Sequence, residues 1–275
     1  MPLFFGTAGT PISAKEKGSI GGIKRIRELG LSCMELEFVR GVRMKEDTAR
    51  KIAAVASENK VALSVHAPYY VNLNSREPEK IEASIKRIYD SARIGSLCGA
   101  SSIVFHPAYY HGETSRIVLE KVIRSLRKLR EIFEEKEIDV ILRPETTGKP
   151  SQFGTLKEIL NMAVEVEGVM PCIDFAHLHA RTNGDINTYE EFAACLCIVE
   201  NYLGKQGLAD MHMHISGIKY NSKGEVKHLV LQESDLNYPA LMKALKDFNV
   251  EGLVICESPN LEEDALLLQE TFEKQ

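Results

Sequence analysis

Ser102-Ile103-Val104-Phe105-His106-Pro107 decides how the chain is read. A short apolar run bounded by a turn residue is a buried strand, and the proline stops it directly after an imidazole. The same pattern recurs in Ala62-Leu63-Ser64-Val65-His66-Ala67-Pro68. Acids hold the equivalent place elsewhere: Glu145 follows Val140-Ile141-Leu142-Arg143-Pro144, Asp174 follows Pro171-Cys172-Ile173, and Glu257 follows Leu253-Val254-Ile255-Cys256. His212 and His214 alternate within one run and therefore share a face. Imidazoles and carboxylates leaving separate strands meet at one point only if the strands close on themselves.

Working outward, strand-like stretches at residues 3–9, 34–38, 62–66, 102–106, 139–145, 170–175, 210–216 and 253–257 alternate with helical patterns. The helical stretches are 21–29, 45–59, 77–97, 115–135, 155–166, 188–203, 238–248 and 262–273. Such alternation implies a parallel sheet. Eight units in roughly 250 residues is the size of a closed barrel. The expectation is an α/β fold, a single (β/α)8 TIM barrel over residues 1–275, with its site at the C-terminal strand ends, where every residue named above falls.

The composition narrows the function classes. A hydrophobic share of 44% supplies a core, and a net charge of −5 argues against grip on nucleic acid by a uniformly basic surface. Divalent cations would reverse that sign inside a cleft. The six cysteines form no C-x-x-C pair and read as buried thiols of a reducing compartment. The start lacks a basic stretch before a long apolar core, and no apolar run nears the roughly 20 residues that span a bilayer. A cytoplasmic, membrane-free protein is expected.

The site is then a matter of ligand count. A strand histidine alone is ordinarily a hydrogen-bonded core residue. Here His66, His106, Glu145, Asp174, His177, Glu257 and one or both of His212 and His214 converge on one mouth, with His179 a further candidate. A single zinc uses three or four protein ligands. The surplus points to two or three metal ions, zinc or manganese, since both take mixed nitrogen and oxygen ligands. Multi-metal sites serve phosphodiester hydrolysis. Two long loops follow strands, at 69–78 and at 217–236, the second with His228 and a hairpin-like arm. Arg40, Arg43, Arg76, Lys149, Arg181 and Lys219 are expected to form a basic rim.

Ser64-Val-His66-Ala-Pro-Tyr69-Tyr-Val-Asn72, Phe105-His106-Pro107, Pro144-Glu145-Thr-Thr-Gly148, Ile173-Asp174-Phe-Ala-His177 and Cys256-Glu257-Ser-Pro259 together resemble the endonuclease IV family of apurinic/apyrimidinic endonucleases, within the xylose isomerase-like barrels. The resemblance implies a DNA-repair hydrolase that cuts the phosphodiester 5′ of an abasic site through a zinc-activated hydroxide, with Glu145 and Glu257 at the centre of the chemistry. It implies that His66 and His106 hold one zinc, that Glu145 bridges it to a second held also by Asp174, His214 and Glu257, and that His177 and His228 hold a third. It implies duplex DNA with abasic or damaged nucleotides as partner, Tyr69 and Asn72 against the DNA, and Arg40 or Arg43 inserted into it; apart from the resemblance, a monomer is the expected form. The chain departs from the family pattern at Val226, where the family has an aspartate two residues before the histidine matched by His228; Glu225 is adjacent. Strand seven reads as His214-Ile-Ser-Gly or, in the other register, from His212. His179 has no counterpart. The alternative is a sugar or sugar-phosphate isomerase or epimerase on the same barrel.

Overall fold

The structure is a computed structural model and describes residues 2–275. Eight parallel strands, Leu3–Ala8, Cys33–Glu37, Ala62–His66, Ser102–Phe105, Ile141–Pro144, Cys172–Asp174, Met211–Ile215 and Gly252–Cys256, form one sheet. Numbered one to eight in that sequence, they lie in the spatial order five-four-three-two-one-eight-seven-six. Strands five and six meet through the bridges Leu142↔Val169 and Glu145↔Cys172, which close the ring. The expected (β/α)8 TIM barrel is therefore the observed fold.

Period-two alternation sorts each strand into two faces. Phe5, Met34, Leu36, Leu63, Val65, Ile103, Phe105, Leu142, Ile173, Met213 and Val254 face the surrounding helices and join the main apolar core. The opposite parity fills the barrel interior. Within it Cys33, Leu253 and Ile255 pack with Phe4, Ala8 and Ala62. Arg143 is buried among Ser102 Oγ at 2.9 Å, Pro171 O at 3.1 Å and Asp210 Oδ1 at 2.7 Å. That occupies it away from Glu145, two residues further along the same inner face. Toward the mouth the interior turns polar, and the site begins there.

Local chemistry sets the departures from the expected elements. Asp174 ends strand six and also caps a helix, Phe175–Arg181, by accepting from His177 N at 2.7 Å. That helix was not expected. The helix Tyr189–Ala209 runs past residue 203 through a break at Gly204, whose φ of 66° is cheap for glycine alone. The loops after strands four and five are tied by the short antiparallel pair Ala108–Tyr109 and Gln152–Phe153. After strand seven, Gly217–Asn221 and Gly224–Leu229 form the expected hairpin. Of the six cysteines, Cys197 is exposed, which corrects the expectation that all are buried. Among the described residues no helix is long and apolar enough to cross a membrane.

Candidate metal centre

Glu145 occupies the middle of the mouth. Its Oε2 lies 3.2 Å from His66 Nε2 and 3.0 Å from His106 Nε2. Its Oε1 lies 3.2 Å from His177 Nδ1 and 3.4 Å from His214 Nδ1. Three groups of ligand-type atoms share this space: His66, His106 and Glu145; Glu145, Asp174, His214 and Glu257; and Asp174, His177 and His228. Glu145 belongs to the first two and Asp174 to the last two. The groups thus adjoin one another.

The imidazoles are held so that each offers one nitrogen. A carbonyl oxygen only accepts, so a ring nitrogen beside one carries the hydrogen. His66 Nδ1 is 2.8 Å from Ala67 O, His177 Nδ1 is 3.0 Å from Thr146 O, and His228 Nδ1 is 3.2 Å from Glu257 O. Each leaves Nε2 as the nitrogen that can give up its proton to a metal. Such fixing by a carbonyl is how metal-ligating histidines are held.

The hairpin contributes by an irregularity. Lys219 pairs with Lys227 and Tyr220 with Glu225, so Val226 is skipped as a bulge. One extra residue reverses the face of what precedes it. Glu225 therefore comes to the side of His228, and its Oε2 lies 3.5 Å from His177 Nε2. Val226 is turned outward, 49% exposed.

Charge fits the same reading. Burial pushes the Glu145 carboxyl up, but His106, His214 and His177 more than offset it and hold it well below the usual range. Burial pushes His66 down, and its bond to Glu145 with the charges of Glu145 and Glu37 outweighs that, raising it to about 10. His177 and His214 are raised well above the ordinary value against the same burial cost, chiefly by Asp174 and Glu145 for the first and by Cys172 and Glu257 for the second. Glu145 Oε1, Asp174 Oδ2 and both His214 nitrogens are buried without a hydrogen-bond partner. Each such atom costs about 1–3 kcal/mol. Carboxylates and lone pairs aimed at one point are reconciled by cations, and the mixed oxygen and nitrogen donors fit divalent metals.

These shifts carry a signed pH dependence. Protons on His66 compete with metal, so apparent metal affinity should rise between pH 6.5 and about 10. In the metal-free chain the raised His66 value contributes stability that is complete below 6.5 and lost as pH climbs through 10. Metal titrations and thermal melts across that window should move in opposite directions. A metal affinity flat with pH would separate His66 from the ligand set.

The remaining expected residues fall in different surroundings. Tyr69 stands at the rim, 58% exposed, with its ring centroid 5.5 Å from that of His66. Arg40 and Arg43 are exposed on the loop after strand two, where Val39 O accepts from Tyr69 N at 3.4 Å. Asn72 is engaged in its loop, its Oδ1 accepting from Asn74 N at 3.1 Å and Tyr109 N at 3.4 Å. His179 is not brought to the centre. Its ring nitrogens bond Ile186 O and Asp235 Oδ1, both at 3.0 Å. Arg181 is withdrawn from the basic rim, because its Nη1 donates to Thr147 O, Lys149 O and Gln152 O. Lys149 lines the cavity of about 250 Å³ over the centre, with Tyr109, Gln152 and the ligand-type residues.

Two acids escaped the sequence reading. Glu35 is buried beneath the centre, and Glu37 lies partly buried beside it, pushed to about 8 by burial together with nearby acids. The alternation Cys33-Met-Glu-Leu-Glu was the available signal, since it matches the alternation of His212 and His214.

Fold and site together define a (β/α)8 barrel with a histidine- and carboxylate-rich centre at its C-terminal mouth. The chain belongs to the xylose isomerase-like TIM barrel family, whose model matches residues 23–274. An uncharacterized protein of Methanocaldococcus jannaschii is 46% identical over 270 residues, 98% of this chain and 97% of that one. A protein of Mycoplasma pneumoniae named "Probable endonuclease 4" is 26% identical over 223 residues, 79% of this chain and 75% of that one. Among solved structures, endonuclease IV from Thermus thermophilus gives a TM-score of 0.75 at 19% identity, covering 98% of both chains. A D-tagatose 3-epimerase-like protein gives 0.73 at 18% identity, covering 100% of this chain and 96% of that one. At these identities the structural likenesses speak for the fold alone.

Proposed function

We propose that this protein is a metal-dependent phosphodiesterase that cuts duplex DNA on the 5′ side of abasic sites. The observation that carries the reading is the sharing of Glu145 and Asp174 between adjoining ligand groups. Sharing suits two or three metals side by side, the arrangement used for phosphodiester displacement. His66, His106 and Glu145 would hold one ion, Glu145, Asp174, His214 and Glu257 a second, and Asp174, His177, His228 and Glu225 a third. Zinc is the expected ion, and manganese accepts the same donors. The metals would supply an activated water and charge neutralisation on the phosphate. Lys149 is the one lysine or arginine among the described residues lining the cavity and would meet a phosphate oxygen. Tyr69 offers a ring at the rim on which an exposed base can stack. Arg40 and Arg43 flank it on the neighbouring loop. The relatives named for endonuclease 4 support the reading. The cytoplasm is the expected compartment and a monomer the expected form.

A second reading rests on the middle group alone. Glu145, Asp174, His214 and Glu257 make a carboxylate-rich set suited to one metal, as a sugar isomerase or epimerase would use.

The deciding experiment is cleavage of a duplex carrying one abasic analogue, with and without chelator, beside a ketose epimerisation assay. Chelator-sensitive nicking that leaves a 3′-hydroxyl is expected, without epimerisation. With few free cations at the rim, log affinity should fall against log salt with a slope of about −3. Epimerisation without nicking would reverse the assignment, and binding that ignores salt would remove the DNA grip.

A further inference from the structure

We propose that Glu35 is a positioning residue, whose carboxylate aims His214 at the metal centre and keeps His212 out of it. The proposal rests on the metal-centre reading above, but not on the identity of the substrate.

Glu35 sits on strand two one interior layer below the mouth, and strand seven stands across the barrel from it. His214 Nε2 lies 3.0 Å from Glu35 Oε1, and His212 Nε2 lies 3.1 Å from Glu35 Oε2. Ser64 Oγ donates to the same Oε2 at 2.6 Å. The His214 contact is close, and neither of its atoms has a hydrogen-bond partner. A carboxylate can only accept, so Nε2 of His214 carries a hydrogen, and Nδ1 is the nitrogen left to give up its proton to a metal. That Nδ1 is the atom 3.4 Å from both Glu145 Oε1 and Glu257 Oε1. Glu35 thus sets both the tautomer and the aim of His214.

His212 shares an inner face with His214 but belongs one residue pair deeper. With Nε2 given to Glu35, only Nδ1 remains, and it is buried without a partner. Cys172, His212 and His214 do lie close enough together to suggest a further ion. Such an ion would have to take a nitrogen of His214, and both of those already face carboxylates. Fixing by a carboxylate also raises the basicity of a ligating imidazole, and losing such a partner typically costs 10–100-fold in metal affinity.

The test is a titration of the metal-free full chain with Zn2+ against a chromophoric chelator. Glu35→Ala should weaken one binding step about 10–100-fold. His212→Gln keeps a donor toward Glu35 and should stay within about threefold of the parent, as expected for a residue outside the ligand set. Melting of the metal-free variants serves as the fold control. Should Glu35→Ala not fold, Glu35→Gln carries the test: its carboxamide accepts from one imidazole only, and a weakening of about 3–10-fold is expected. Metal binding by the folded Glu35 variants within threefold of the parent would overturn the proposal. So would a His212→Gln loss as large as that of Glu35→Ala. If the parent itself takes up no zinc, it is the metal-centre reading that fails, and the first titration shows that before any variant is made.

Discussion

Glu145→Gln should lower turnover by at least about a thousandfold while leaving the fold intact. The substitution is isosteric, and the backbone at this position is fastened on both sides. Glu145 N donates to Phe105 O at 3.0 Å, and the following Thr146 N donates to Cys172 O at 3.0 Å. What changes is the side chain's capacity to serve two ligand groups. A carboxylate presents acceptors to His66 and His106 on one oxygen and to His177 and His214 on the other. A carboxamide presents an oxygen to one side and an N–H group to the other, and an N–H cannot ligate a cation. One shared position is therefore lost whichever way the amide turns. Far-UV circular dichroism and a melt should match the parent's metal-free protein closely, while metal content falls by at least one ion per chain. Nicking within tenfold of the parent would take Glu145 out of the chemistry.

Most of the site could be read from sequence because two signals coincide there. An apolar run ending at a proline marks a strand end, and a titratable residue at that end faces the mouth. His66, His106, Glu145 and Glu257 carry that mark, Asp174 ends an apolar run without the proline, and all five belong to the groups that could hold a metal. The signal fails where a residue's direction depends on something other than strand parity. Glu35 and Glu37 lie within the stretch 34–38 with no proline to mark its end, although their alternation already puts them on the inner face. His177 and His179 are two apart on a helix begun by Asp174, and residues at that spacing do not share a side. That is why His177 reaches the centre and His179 turns to Asp235. Val226 and Glu225 show the same limit in a strand. Counting back from His228 selects Val226, whereas the bulge makes Glu225 its neighbour in space. The basic rim failed at Arg181 because a guanidinium with three carbonyls in reach is spent on holding a loop.

Removing the metals should have the other large effect, on stability as well as on activity. Glu35, Glu37, Glu145, Asp174, Glu225 and Glu257 crowd the centre, and Lys149 is the one lysine or arginine among the described residues lining its cavity. Raised imidazoles carry part of the compensating charge in the metal-free chain, which should keep it folded near neutral pH. Each ion supplied at a thousand times its dissociation constant adds about 4 kcal/mol to the stability of the native state. For a chain of this size a kcal/mol is worth about 2–4 °C, so stripping the centre should lower the melting temperature by at least about 10 °C. Nicking should disappear with it and return on adding zinc. Metal analysis of protein purified without chelator should find close to three ions per chain, and Glu225→Gln should find close to two, because Val226 in its outward position offers no replacement. A parent chain holding one ion would favour the single carboxylate-rich site of an epimerase. A Glu225→Gln chain holding as many ions as the parent would mean that Asp174, His177 and His228 suffice for the third position and that the bulge serves the hairpin's shape alone.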